Sequence, residues 1–318
     1  MMRLAAAALA LMGCGAVPAL AFDLADHEAI TRQAILEYKI CYPGSISDRD
    51  AQDFVGGNLD EDINLPRKWA LYSHYYNPER PIKMRRKNSL DRIQDIESSL
   101  RHFSGPAAAG ESPRAFLEGG IIHHLQDSAV PPHVLPISHG LWDGFESYET
   151  GQISAPTAVD MNCASISPET AADPVQLLQA SARETLAAVR HDAFTARDVS
   201  DYDVPLTLSW ELLWADGKGD QFGEYGIWGN VFGDADVFHG AKEYLVDPQE
   251  YHRFKQRRVR QAIQVTKQAI AWALRSNRRS EPVAAFSGAP LARGEALRTR
   301  LSLLAPAVSG GAPSVSWQ

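Results

Sequence analysis

The stretch 119–149, GGIIHHLQDSAVPPHVLPISHGLWDGFESYE, constrains this chain more than any other, because it gathers His123, His124, Asp127, His133, His139 and Asp143. Read as a helix, FLEGGIIHHLQDSAV puts His123 and Asp127 four residues apart on one face, where they can grip one ion or a pair. Pro131 and Pro132 stop that helix, His133 follows at the stop, and His139 and Asp143 repeat the four-residue interval at the start of a second helix. Imidazole and carboxylate with no cysteine nearby form the ligand set of a hydrolytic zinc site. A single helical His and Asp four apart more often pair with each other or with solvent, so the pair alone does not establish metal. His124 points about 100° away from His123 and reads as a packed neighbour.

The rest of the chain reads as helices joined by long loops. FDLADHEAITRQAILEY, 22–38, has Ile30, Ala34 and Ile35 at helical spacing, Asp26 as a cap and His27 in its first turn. CYPGSISDRDAQDFVGGN reads as a polar, glycine-containing connector leading to LDEDINLPRKWALYSHYYNPERP, where Asp60 and His74 flank an apolar segment. A helix is expected from Ser89 to about Phe103, another from about Glu169 to His191, and a long one from Pro248 to about Leu274. In the Trp- and Gly-rich segment 206–238 periodicity decides little, and its aromatic residues read as core before membrane contact. The basic runs near 83–87 and 253–260 read as solvated faces. No strand alternation persists, so the expected fold class is all-α: a compact multi-helix bundle.

Residues 1–21 carry Arg3, an apolar run too short to span a bilayer, and an Ala19-Leu20-Ala21 cleavage site, the pattern of a signal peptide. Leu11-Met12-Gly13-Cys14 offers a lipoprotein-type alternative. Residues 22–275 then form one catalytic domain, and 276–318, rich in Ala, Gly, Pro and Ser, a low-periodicity tail. Cleavage after Ala21 leaves Cys41 and Cys163 in an exporting compartment, where a disulfide between them is possible. The formal charge of −8, one unit more negative without Arg3, argues against nucleic acid as the main partner.

The residues in hand resemble the zinc-dependent phospholipase C family of bacteria and, more distantly, the fungal single-strand nucleases. AFLEGGIIHHLQDSAVPPH is similar to the family's F-Y-L-G-x-x-x-H-x-x-x-D-x-x-x-P-x-H block, and His139-Gly-Leu-Trp142-Asp143 to its H-x-x-[YFW]-[ED] helix. Asp60 and SHYYNP, 73–78, resemble the family's Asp followed fourteen residues later by His in an S-H-[FY]-Y-[DN]-P string. Phe22 and His27 look like the amino-terminal Trp and the His that opens the first helix. The motifs span 22–143.

The resemblance implies three zinc ions: Asp60, His74, His123 and Asp127 on the first; His133, His139 and Asp143 on the second; the Phe22 main chain, His27 and a bridging Asp127 on the third. Cleavage after Ala21 is preferred because a free Phe22 amine is then available as a ligand. Asp60 would also orient or deprotonate the attacking water. The loop from His133 to His139 is shorter than the family's, and Asp143 stands where phospholipases carry Glu, with Glu146 one turn on as its rival. Choline-preferring relatives have Tyr and an aromatic where this chain has Glu61 and Leu71, which implies a head-group site able to take a primary ammonium. The expectation is a secreted or periplasmic, monomeric phospholipase C acting at a phospholipid membrane surface on choline or ethanolamine lipids. The alternatives are a nuclease of the same superfamily and a non-catalytic lipid-binding protein.

Overall fold

In the computed structural model the described residues are 24–80, 87–102, 113–138, 143–151, 162–201, 204–217 and 221–280. Phe22, His139 and the leader 1–21 lie outside them. A first unit runs through Arg279, and the second, Ser280–Gln318, is outside the described residues but for Ser280.

The helices are α1 (Leu24–Cys41), α2 (Asp48–Ile63), α3 (Ser89–His102), α4 (Pro113–Asp127), the short α5 (Pro131–Val134) and α6 (Gly144–Ser147), α7 (Pro174–His191) and α8 (Pro248–Ser280). A π-helical turn, Arg67–Leu71, follows α2. Four antiparallel strands separate α7 from α8: β1 (Ala193–Asp198), β2 (Val204–Ser209), β3 (Asp236–His239) and β4 (Lys242–Val246), in the order β2-β1-β4-β3. The protein is therefore mixed helix and sheet, which corrects the all-α expectation. The reason is visible in β1: Phe194, Ala196 and Asp198 point inward and Ala193, Thr195 and Arg197 outward, so alternation exists, but its inward set is not an apolar one. Pro205 in β2 further hides the pattern.

Helix α4 is the axis of the fold. From Glu118 to Asp127 every residue is buried, against α1, α2, α3 and α7. Ile121, Ile122 and Leu125 are sealed on its flanks; complete burial of such a side chain is worth about 1.5–3 kcal/mol. That leaves His123, Gln126 and Asp127 on a buried face.

The connector expected at 41–58 is largely helix. Ser47 caps α2, its Oγ accepting from the Asp50 amide at 3.0 Å. The Gly56-Gly57 pair that suggested a loop is instead where two helices meet. A Cβ on Gly57 would collide with the Phe116 carbonyl of α4, and one on Gly119 would sit 2.9 Å from the Asn58 nitrogen and 3.0 Å from Gly57 Cα. Glycine at both positions lets α2 and α4 touch backbone to backbone, and that close approach delivers the Asn58 and Asp62 side chains to α4.

Proline opens α5, α7 and α8 at positions whose amides need no partner. Asp173 caps α7 through the Val175 amide at 2.9 Å. Helix α8 continues past Leu274 to Ser280, about 50 Å in all. Cys41, at the end of α1, is disulfide-bonded to Cys163. Trp210, Trp214 and Trp228 are buried with Phe145, Phe232 and Phe254 in one aromatic core.

Candidate metal centre

Five elements converge on the buried end of α4. Helix α1 brings His27, α2 brings Asp62, the segment after the π turn brings His74, α4 itself brings His123 and Asp127, and α5 brings His133; all six are buried. His74 Nδ1 lies 3.0 Å from His123 Nε2, 3.2 Å from Asp127 Oδ2 and 3.5 Å from Asp62 Oδ1. His123 Nε2 lies 3.2 Å from Asp127 Oδ2 and 3.8 Å from Asp62 Oδ1. Four ligands held on a tetrahedral ion at about 2.0–2.2 Å are themselves about 3.3–3.6 Å apart. These five separations bracket that range.

The other oxygens of the two carboxylates face His27, its Nε2 at 3.5 Å from Asp127 Oδ1 and 3.9 Å from Asp62 Oδ2. Two buried groups, His27–Asp62–His123 and His74–His123–Asp127, could each hold a metal ion, and they share His123. Neither Asp127 oxygen, nor Asp62 Oδ2, accepts a well-formed hydrogen bond. Buried carboxylate oxygens are costly in that condition, and a cation between them satisfies them.

The imidazoles are oriented from behind. Gln126 Oε1 is 2.6 Å from His27 Nδ1, Asn58 Oδ1 is 3.4 Å from His123 Nδ1, and the His74 carbonyl accepts from His133 Nδ1. Asn58 donates onward to Thr31 and Gln126 at 3.0 Å, and Gln126 donates to Thr31 at 2.9 Å and Thr266 at 3.1 Å. A ring that gives its Nδ1 proton to an amide or carbonyl oxygen keeps Nε2 as a bare lone pair, the form that binds metal. Helices α1, α2, α4 and α8 all contribute to this network, so the ligand geometry is tied to the whole bundle.

Electrostatics favour a cation here. Burial would raise the Asp62 carboxyl, but the charges of His123, Lys68, His74 and His27 hold it at about 2. Burial likewise opposes ionisation of Asp127, and the charges of His123 and His133, with the close approach of the His123 and His27 rings, hold it well below the usual range. Burial, reinforced by the Lys68 charge, drops His74 to about 3, so its ring is neutral and available.

A second cluster abuts the first. His133 Nε2 meets Glu146 Oε1 at 3.0 Å. Against the cost of burial, the Asp127 charge and the Glu146 hydrogen bond raise His133 to about 9. Asp143 does not face His133: it caps α6, accepting from the Phe145 and Glu146 amides at 2.9 and 3.1 Å, and takes the Tyr225 hydroxyl at 3.0 Å. Burial and the Glu146 charge lift its carboxyl to about 6. Between the two acids named from the sequence, Glu146 is the one beside the imidazole.

The structure brings together His27, His74, His123, Asp127 and His133. It does not bring Asp60, which is 30 % exposed and paired with Arg67 at 2.8 Å. Asp62 occupies the place expected for Asp60, because 41–63 is mostly helix and Asn58 and Asp62, four apart, share the face toward α4. Glu61 is not open to a head group: Arg92 donates to it at 2.6 Å and Arg67 at 2.9 Å. Burial would raise the Glu61 carboxyl, and the neighbouring His124 ring and the Arg92 guanidinium more than reverse that. Leu71 is 57 % exposed. His124 is a packed neighbour, its Nδ1 3.2 Å from Ser89 Oγ and its Nε2 3.6 Å from Glu61. Asn58, Asp62 and Gln126 were missed; the one signal for them was the four-residue interval of Asn58 and Asp62 on a helix that the glycines disguised.

Comparison of the chain with protein-family models, with curated proteins and with solved structures returned no match.

Proposed function

We propose that this chain is an exported, zinc-dependent phospholipase C that cleaves the glycerol-side phosphodiester of phospholipids into diacylglycerol and a phosphorylated head group. The observation that carries the proposal is the set of five separations, 3.0–3.8 Å, among His74 Nδ1, His123 Nε2, Asp127 Oδ2 and Asp62 Oδ1. In this reading those four residues hold one zinc, His27 with Asp127 and the Phe22 main chain a second, and His133 with Glu146 and His139 a third. Bound there, the cations supply Lewis-acid charge at the phosphoryl group and acidify water near neutral pH.

In the reaction one P–O bond forms to the water oxygen and the P–O bond to glycerol breaks. The water proton passes through a basic oxygen to the departing alkoxide. Asp62, which takes the place expected for Asp60, would orient that water.

A lipid substrate is supported by the side chains just beyond Asp62. Ile63, Leu65 and Leu71 are exposed aliphatic residues at the edge of the cluster's own loop, and the net charge of −8 disfavours a polyanion. The Cys41–Cys163 disulfide supports export to an oxidising compartment. The test is release of phosphate monoester from choline and ethanolamine lipid vesicles by the zinc-loaded protein, with single-stranded DNA in parallel. Lipid cleavage supports the proposal, and nucleotide release with intact lipid replaces it by a nuclease.

A further inference from the structure

Helix α2 ends in three consecutive acids, Asp60, Glu61 and Asp62, and the π turn beyond it begins with two bases, Arg67 and Lys68. The bases answer the acids six residues on: Arg67 bonds to Glu61, and Lys68 to Asp62. The fold-back is set by Asn64, whose carbonyl accepts the Lys68 amide at 3.0 Å, and by the π-type bond from the Tyr72 amide to the Arg67 carbonyl at 3.1 Å. Single π turns recur at functional sites because they re-aim side chains within one element. Here the turn divides its two cations. Arg67 goes outward to Asp60 and Glu61. Lys68 goes inward to Asp62 Oδ1, the same oxygen that faces His74 and His123.

Other basic side chains near the centre are committed elsewhere. Arg92 is held by Glu61. Lys255 is buried among Asp26 and the carbonyls of Glu146 and Tyr148. Among the described residues, Lys68 is the lysine or arginine that pairs with a member of the four-atom set. Its side chain is 18 % exposed while the Asp62 carboxylate it pairs with is fully buried. A carboxylate oxygen has two lone pairs, so Asp62 Oδ1 can accept Lys68 while also serving a metal.

We propose that Lys68 is a phosphoryl-binding residue of this centre, its ammonium placed by the π turn to hold a non-bridging oxygen of the phosphodiester beside the ions gripped by Asp62. The inference rests on the hydrolase reading for its substrate and on the Lys68–Asp62 pair for its position. An ammonium offers three donors. One goes to Asp62 and orients it, and a second is assigned to the phosphoryl oxygen.

The test uses the zinc-loaded full chain with Lys68→Met and Lys68→Arg, reading bound zinc, the Kd of inorganic phosphate, and kcat and KM on a short-chain phospholipid. The expected result is unchanged zinc, a phosphate Kd raised by about tenfold in Lys68→Met and restored in Lys68→Arg, and a fall in kcat/KM of at least that size. Lys68→Met with wild-type phosphate affinity would overturn the inference while leaving the hydrolase reading intact. Loss of zinc in Lys68→Met would also overturn it, by showing that Lys68 only orients Asp62. A wild-type protein that cleaves no lipid yet binds phosphate through Lys68 would support the site and reject the reaction.

Discussion

Asp62 Oδ1 stands 3.5 Å from Nδ1 of His74, and the turn that joins them leaves Asp60 outside, on Arg67. Two carboxylates separated by one residue thus have opposite fates, because α2 is helical through Ile63 and turns only one face to α4. Asp62→Asn replaces a charged carboxylate beside His74 and His123 by a neutral amide and should weaken metal binding by about tenfold or more. Asp60→Asn breaks a partly exposed ion pair worth about 0.2–1 kcal/mol and should leave metal binding unchanged. Competitive titration against a chromogenic chelator checks both.

The Gly57–Gly119 contact predicts a second effect at a distance from the cluster. Gly119→Ala places a methyl 2.9 Å from the Asn58 nitrogen, and overpacking of that kind costs about 1–3 kcal/mol. Since the displaced segment of α2 carries Asn58 and Asp62, metal affinity should fall along with stability. Denaturant unfolding and metal titration on the same variant check this, and a variant destabilised but wild-type in metal affinity would count against the coupling.

Much of the cluster was legible because its side chains sit in short motifs: His123 and Asp127 share a helical face, and Pro131-Pro132 fixes where His133 appears. Asp62 was not legible, since Gly56-Gly57 carries the composition of a loop, and only the neighbouring helix explains it. Asp143 and Glu146 could not be separated by spacing, because a cap position and a ligand position one turn apart both favour an acid. The sheet escaped for a similar reason: the inward side chains of β1 include Ala196 and Asp198, the latter held by Lys242 at 2.7 Å rather than by apolar packing.

The disulfide Cys41–Cys163 closes a loop of 122 residues. Constraint of the unfolded chain by such a link is worth about 2–5 kcal/mol. Cys41→Ser with Cys163→Ser should lower stability by that amount, read by urea unfolding, and reductant should do the same to the wild type and nothing to the double variant.

Glu118, buried on α4, gives a pH dependence outside the His and Asp cluster. Burial outweighs the Arg114 pairing at 3.1 Å and raises its carboxyl from 4.5 to about 7. The folded protein therefore holds this proton more tightly than the unfolded chain. Its contribution to stability is complete below pH 4.5 and is lost as pH rises to about 7, by on the order of 3 kcal/mol at most. Glu118→Gln should flatten that slope and gain stability above pH 7, as thermal unfolding across pH 4–8 will show.

The central claim is that the His and Asp cluster on α4 is a metal centre, and the most direct measurement is elemental metal content of the purified full chain beside His123→Ala. His123 belongs to both candidate groups. The account predicts bound zinc in the wild type and a lower zinc content in the variant, with the fold retained by circular dichroism. A wild-type protein that takes up no metal after incubation with zinc, or a His123→Ala variant that binds as much, would contradict it.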